Sequence, residues 1–462
     1  MLYLTLAVLA AALLLFAWLG LRERQSASGL DDYCTARNSQ GAQALGLSFL
    51  ASGMGGWILF APPEIGAFVG PVALAGYALG AALPFMVFAW CGPAIRRHLP
   101  EGRSIGEFAQ ACYGTAVRRW VALISLLYML CFLIAELTAI GAITGMLSDV
   151  NGNLVIVAVA VTTLLYTAWG GLRASLVTDR WQAWLLMLLL IAVGWVALQR
   201  LPDLASSGQS MPSIPLGSSL SIALTLIIAV TAANLFHQGY WQRIWAARDG
   251  EALGRGALLG GIITTVVVAV VGGLGIAAAM SGTELGSPPI PFFALLADAP
   301  AWLTIPALVL AMTLVASSVD TLQNALASLA VTESRGLSLA AARWITCLLM
   351  IPVIAVALQG ISVLRLFLIA DLLCATTVVP VLLGLWSRMS TGAAIAGSLA
   401  GILGAILPGW WVTGSISGGV MAASFPGSIP TLAPFACALA ASTLVCLLVA
   451  AFKPRSYLPR PV

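Results

Sequence analysis

Charge is scarce in this chain. Only 8% of its 462 residues are Asp, Glu, Lys or Arg, while 60% are hydrophobic. Soluble domains carry about a quarter of their residues as charges, so this composition excludes a sizeable soluble domain. Histidine occurs twice, as His98 and His237, too few for a dedicated transition-metal site. The eight cysteines form no C-x-x-C pair and lie mostly inside apolar runs. They read as core residues, neither disulfides nor metal ligands. No P-loop and no nucleic-acid motif occurs, and no nucleophile–base pair stands out, so neither an enzyme nor a nucleic-acid binder is expected. Short segments of alternating hydrophobicity, the mark of a membrane β-barrel, are missing as well.

What the chain has is apolar length. A bilayer-spanning helix needs about 20 apolar residues. Thirteen such runs occur, at about 2–20, 42–62, 67–91, 118–147, 153–170, 175–199, 218–240, 254–280, 302–331, 338–359, 361–385, 390–410 and 432–452. The expectation is an all-α, multi-pass membrane protein whose first partner is the lipid bilayer. Arginines and lysine collect in alternate loops: Arg22, Arg24 and Arg37; Arg96, Arg97, Arg103, Arg118 and Arg119; Arg173 and Arg180; Arg243, Arg248 and Arg255; Arg335 and Arg343; Arg388; Lys453, Arg455 and Arg460. The positive-inside rule puts these loops in the cytoplasm. The N-terminus is then outside and the C-terminus inside, as an odd helix count requires. A bacterial inner membrane is the expected location. The first run has no positive charge before it and no A-x-A site after it, so it reads as an uncleaved helix.

Within this apolar frame several stretches break the pattern. "LASGMGGWILFAPPEIG", Leu50 to Gly66, sets glycines and a proline pair in a span. Irregular backbone at membrane depth requires protein or a water-filled cavity around it. Close packing of small residues is the simpler reading. A second interruption, "TAANLFHQGYWQR", Thr231 to Arg243, holds Asn234 and His237 and ends the seventh run. Two interrupted segments in matching places of two halves point to an inverted-repeat transporter with a midplane site. In "TLVASSVDTLQNALAS", the residues Thr313, Ser317, Asp320, Thr321, Asn324 and Ser328 share one helix face. Hydroxyls of this kind can simply glue helices, but a carboxylate in mid-membrane is costly. Oxygen ligands suit a hard cation. In "YTAWGGLRASLVTDRWQAW", Asp179 sits where a helix N-cap would. Glu64, Glu136, Arg365 and Asp371 are the remaining intramembrane charges. Arg365 is too far along the helix to pair closely with Asp371, and Glu136 and Asp371 read equally as functional groups or as structural partners.

With these residues in view, the chain resembles the sodium:solute symporter family, relatives of which carry proline, pantothenate, sialic acid, sugars, monocarboxylates or urea. The likeness runs nearly end to end. It rests on "LDDYCTARNSQGAQALGLSFLASGMGGW", "SIGEFAQACYG", "YTAWGGLRASLVTDRWQ" and "QRIWAARD". It implies the LeuT-like fold: two inverted repeats of five helices, with one extra N-terminal and two extra C-terminal helices. The corresponding regions are 1–41 for the extra helix and loop, 42–200 and 201–385 for the repeats, and 386–462 for the last two helices and tail.

The resemblance also implies a sodium site made by the carbonyls of Ala51, Met54 and Leu314 with the hydroxyls of Ser317 and Ser318. A second ion or proton site would use Asp179, Asp320 and Thr321. The pocket would be lined by Ser52, Gly53, Trp57, Glu136, Asn234 and His237. Gly53 stands where proline-transporter-like members carry Asp, and Asp320 where a serine is usual. The implied function is sodium-coupled symport of a small organic solute, an amino acid, carboxylate or urea-like molecule, by alternating access. Sodium is the coupling ion and no organic cofactor is expected. A solute sensor and a proton-coupled or passive permease remain rival readings on the same scaffold.

Overall fold

The computed structural model describes residues 2–22, 35–53, 55–168, 214–282, 284–285, 289–296, 300–333 and 338–452, with scattered positions between 172 and 195. Its named elements are all helical. In chain order the long ones are α1 (Leu2–Arg22), α2 (Ala42–Gly53), α3 (Ala61–Phe68), α4 (Pro71–His98), α5 (Ile105–Tyr113) and α6 (Thr115–Leu147). Next come α7 (Gly152–Ala168), α8 (Leu216–Asn234), α9 (Gln238–Ala246), α10 (Gly250–Met280) and α11 (Ala301–Glu333). The chain continues through α12 (Leu339–Ala357), α13 (Val363–Ala375), α14 (Val378–Leu382), α15 (Thr391–Thr413), α16 (Ile416–Ala423) and α17 (Leu432–Phe452). Each of the thirteen expected ranges contains helical residues. The protein is thus an all-α, multi-pass membrane protein.

Among the described residues, three spans are not single helices. The run at about 42–62 divides into α2, a 3-10 turn at Gly56–Leu59, and α3. The run at about 218–240 divides into α8 and α9. α13 and α14 form a bent pair at 47°. Outside the apolar runs, α5 is set by a reciprocal cap: Ser104 Oγ accepts from the Glu107 N–H, and Glu107 accepts from the Arg103 N–H.

Two sets of helix contacts frame the breaks, while α15 and α17 pack mainly on each other. In one, α10 lies against α2, α3 and α4, and α4 against α8. The contacts are made by small residues. A Cβ on Gly256 would lie 2.9 Å from the Ala42 carbonyl oxygen, and one on Gly80 2.7 Å from that of Leu226. Such spacing lets backbones approach without lipid-repelling forces to drive them. In the other group α6, α11 and α12 contact one another, and Gln323 of α11 donates to the Ala160 carbonyl of α7.

Two charges are more buried than a loop position suggests. Arg243 and Arg118 were counted as cytoplasmic-loop cations, yet Arg243 is fully buried and Arg118 nearly so. Arg243 donates to Ser48 Oγ at 2.8 Å and to the Gly239 carbonyl at 2.7 Å. Arg118 pairs with Glu333 at 2.9 Å. Satisfied hydrogen bonds are what make a buried guanidinium tolerable, and local sequence gives no sign of them.

Candidate functional site

The first break shows how an interrupted helix survives out of water. Stopping α2 at Gly53 leaves carbonyls without partners, and restarting at Gly56 leaves N–H groups without partners. Glu136 of α6 answers the second need: its carboxylate accepts from the Gly56 N–H at 2.6 Å and the Trp57 N–H at 3.2 Å. The Trp57 indole answers the first, donating to the Gly53 carbonyl at 2.8 Å. A Cβ on Gly55 would collide with Glu136 Oε1 and lie 2.5 Å from Ser318 Oγ. The absence of a side chain is therefore what lets the chain pass between these groups.

α11 packs against both α2 and the 3-10 turn. On it Leu314, Ser317 and Ser318 are buried. Ala51 lies in the last turn of α2. Met54 lies outside the described residues, as do the side chains of Ala51 and Ser52. The break and the Ser318 hydroxyl thus lie side by side.

Further along α11, Asp320 is fully buried. Its carboxylate accepts from Tyr166 Oη at 2.7 Å and from Ser175 Oγ at 3.0 Å. Thr321 Oγ1 lies 3.0 Å from Ser175 Oγ. Asp179, the expected companion acid, lies outside the described residues. Sequence reasoning missed Tyr166 and Ser175, because hydroxyls on distant helices carry no local mark of their partner.

The second break is held from the same helix. Ser125 of α6 donates to the Phe236 carbonyl at 2.9 Å. His237 is buried, stacked on Tyr240 at 4.5 Å and edge-on to Tyr128 and Phe132.

Between the two breaks lies a cavity of about 20 Å³, lined by Trp57, Tyr77, Tyr128, Phe132, Val230, Ala233, Asn234, Phe367 and Asp371. Of the pocket residues expected from sequence, Trp57 and Asn234 line it. Glu136 instead binds the backbone of the break. Gly53 faces Tyr240, whose hydroxyl a Cβ would strike. His237 sits behind Tyr128 and Phe132. The tyrosines and phenylalanines were not anticipated, since inside an apolar run they look like any other core residue. Asp371 was noticed as an intramembrane charge, and the structure brings it to the cavity.

No family model matches the chain. A curated relative, the spermidine transporter DUR31 of Candida albicans, is 29% identical over 423 residues, spanning 88% of this chain and 79% of that protein. Among solved structures, a sodium-coupled sialic acid symporter aligns with a TM-score of 0.76 at 16% identity, covering 98% of this chain and 99% of its own. Mhp1, a nucleobase-cation-symport-1 family transporter, aligns with a TM-score of 0.60 at 15% identity, covering 90% and 94%. Together with the two broken spans, the structural similarities show that the chain has the LeuT-like fold of these transporters.

Proposed function

We propose that the protein is a sodium-coupled symporter of a small organic solute, working by alternating access, as its resemblance to the sodium:solute symporters implies. The observation that carries this reading is the break after Gly53, set directly against the buried Ser318 hydroxyl, with the buried Ser317 next to it in sequence. Carbonyls freed at a helix end, facing hydroxyls across a helix seam, are the oxygen set a sodium ion needs. In this reading Ala51, Met54 and Leu314 give carbonyls, and Ser317 and Ser318 give hydroxyls. Asp320 and Thr321, with Asp179, form the second ion or proton site. The N-terminus is outside and the C-terminus in the cytoplasm of a bacterial inner membrane.

Sodium entering from outside would join the broken span to α11 and complete the solute pocket. One charge crossing 100 mV releases about 2.3 kcal/mol, enough to draw solute uphill. The relative named for spermidine makes amines a candidate class beside amino acids, carboxylates and urea. The test is uptake of labelled spermidine, proline, lactate and urea into proteoliposomes under an inward sodium gradient. At least one should accumulate, and Ser317→Ala with Ser318→Ala should raise the sodium concentration required. Equal uptake in a potassium or choline gradient would refute sodium coupling.

A further inference from the structure

Asp371 lies on α13, six residues from Arg365 and at the wall of the central cavity. It is 6% exposed. Among the described residues no hydrogen bond or ion pair reaches its carboxylate. Arg365, the cation nearest in sequence, is committed elsewhere and donates to the Ser424 carbonyl at 3.0 Å. A carboxylate taken out of water without a partner is costly, and proteins keep one at membrane depth where it serves a substrate or an ion path.

The groups around it specify what that partner is. The other polar side chains at the cavity are uncharged: the Asn234 amide, the Trp57 indole and the Tyr77 and Tyr128 hydroxyls. Asn234 donates one amide N–H to the Val230 carbonyl at 2.9 Å, which leaves its second N–H and Oδ1 as neutral groups beside the cavity. The Tyr77 and Tyr128 hydroxyls line the cavity and bond to no other described residue. No Arg or Lys is among the lining residues. The helix end that reaches the cavity is the C-terminal, carbonyl end of α8 at Asn234, and the Trp57 N–H is already taken by Glu136, so a solute carboxylate finds no cation there.

The remaining walls are ring faces and edges: Trp57 stacks on Tyr77 at 5.8 Å, and Phe132 meets Phe367 at 5.1 Å and Tyr128 at 5.7 Å. Aromatic rings around one carboxylate attract a cation through their quadrupoles as well as its charge. The size agrees. A cavity of about 20 Å³ has room for about one water-sized group, and a protonated primary amine is such a group.

We infer that the solute is an organic cation whose ammonium head sits on Asp371 inside the box of Trp57, Tyr77, Tyr128, Phe132 and Phe367. This deepens the transport reading and rests on it for the word solute. The cavity takes the head alone, and the carbon chain requires the aromatic walls to part. Amino acids are excluded unless their carboxylate stays outside the box. Urea, being neutral, leaves Asp371 uncompensated.

The test measures binding, independently of flux. Labelled spermidine is titrated onto the purified full-length protein in detergent with sodium present. Putrescine and butylamine should compete, while butyrate and urea should not. Asp371→Asn should weaken spermidine binding by at least about tenfold, the loss expected when one partner of a buried charge pair is removed. Asp371→Glu should retain part of it.

Thermal unfolding without solute supplies a second readout. Removing an unpaired buried charge should leave the melting temperature of Asp371→Asn unchanged or higher, whereas a structural ion pair would make it fall. Wild-type spermidine affinity in Asp371→Asn, competition by urea or butyrate, or no amine binding to the wild type would each overturn the inference. Sodium-driven uptake of another solute would then still stand. Amine binding through Asp371 with no sodium-driven flux would sustain the inference and refute the transport mechanism.

Discussion

Glu136→Gln tests whether this side chain holds backbone or solute. The carboxylate accepts from two backbone N–H groups, at 2.6 and 3.2 Å, in a fully buried setting. An amide in its place keeps one acceptor oxygen and turns an N–H₂ donor toward the other N–H. The lost hydrogen bond to a charged group costs about 1.5–3 kcal/mol, and the buried N–H left facing a donor adds about 1–3 kcal/mol. Even the low end should lower the melting temperature by several degrees, read by tryptophan fluorescence on heating in detergent. Glu136→Asp keeps two acceptors and should recover part of the loss. In transport assays Glu136→Gln should shift half-saturation for sodium and for solute together, because the anchored break serves both sites. A variant with wild-type melting temperature and sodium response, and only a weaker solute affinity, would refute the anchoring role and restore Glu136 as a solute ligand.

Other substitutions probe neighbouring contacts. Gly55 has an ordinary φ of −74°, so Gly55→Ala acts by crowding alone, against Glu136 Oε1 and against Ser318 Oγ at 2.5 Å. Overpacking of this kind costs about 1–3 kcal/mol, and the sodium needed for half-maximal uptake should rise. Asp320→Asn removes the charge that Tyr166 and Ser175 now satisfy. It should alter the sodium dependence or the pH profile of uptake, and an unchanged pair of profiles would exclude an ionic role. At the start of α10, the Ala252 N–H bond and then Arg248 hold the Asp249 carboxyl below its usual range. The cap is complete above the ordinary carboxylate pKa and is lost as pH falls through the lowered one. Exchange protection at Ala252, corrected for intrinsic rate, should fall at acidic pH in the wild type and stay level in Asp249→Asn.

Much of the frame could be read from residues alone. Glycine and proline in "ASGMGGWILFAPP" marked the first break because they are poor helix formers set in a run that lipid would otherwise keep helical. The polar face of α11 followed from helical spacing. What stayed hidden were features made by approach of distant segments. Glu136 lies 80 positions from Gly56 along the chain, so its role as a backbone acceptor has no local signature. Tyr77, Tyr128, Phe132 and Phe367 come from three helices and become a box only when those helices meet. The burial of Arg243 could not be read from the charge tally, because it depends on Ser48 and Gly239 being there to receive it. Asp371 was legible as an anomaly, but its lack of a partner is visible only in three dimensions.

Both interruptions are tied to one helix, through Ser125 and Glu136 of α6. Eleven residues are almost three whole turns, so the two ties point the same way and stand about 16 Å apart along the axis. α6 therefore works as a ruler. A single residue inserted between these positions would swing one tie by about 100° relative to the other. That stretch of α6 cannot change its register without releasing one of the two interruptions, whereas the same insertion beyond either tie leaves the distance between them untouched.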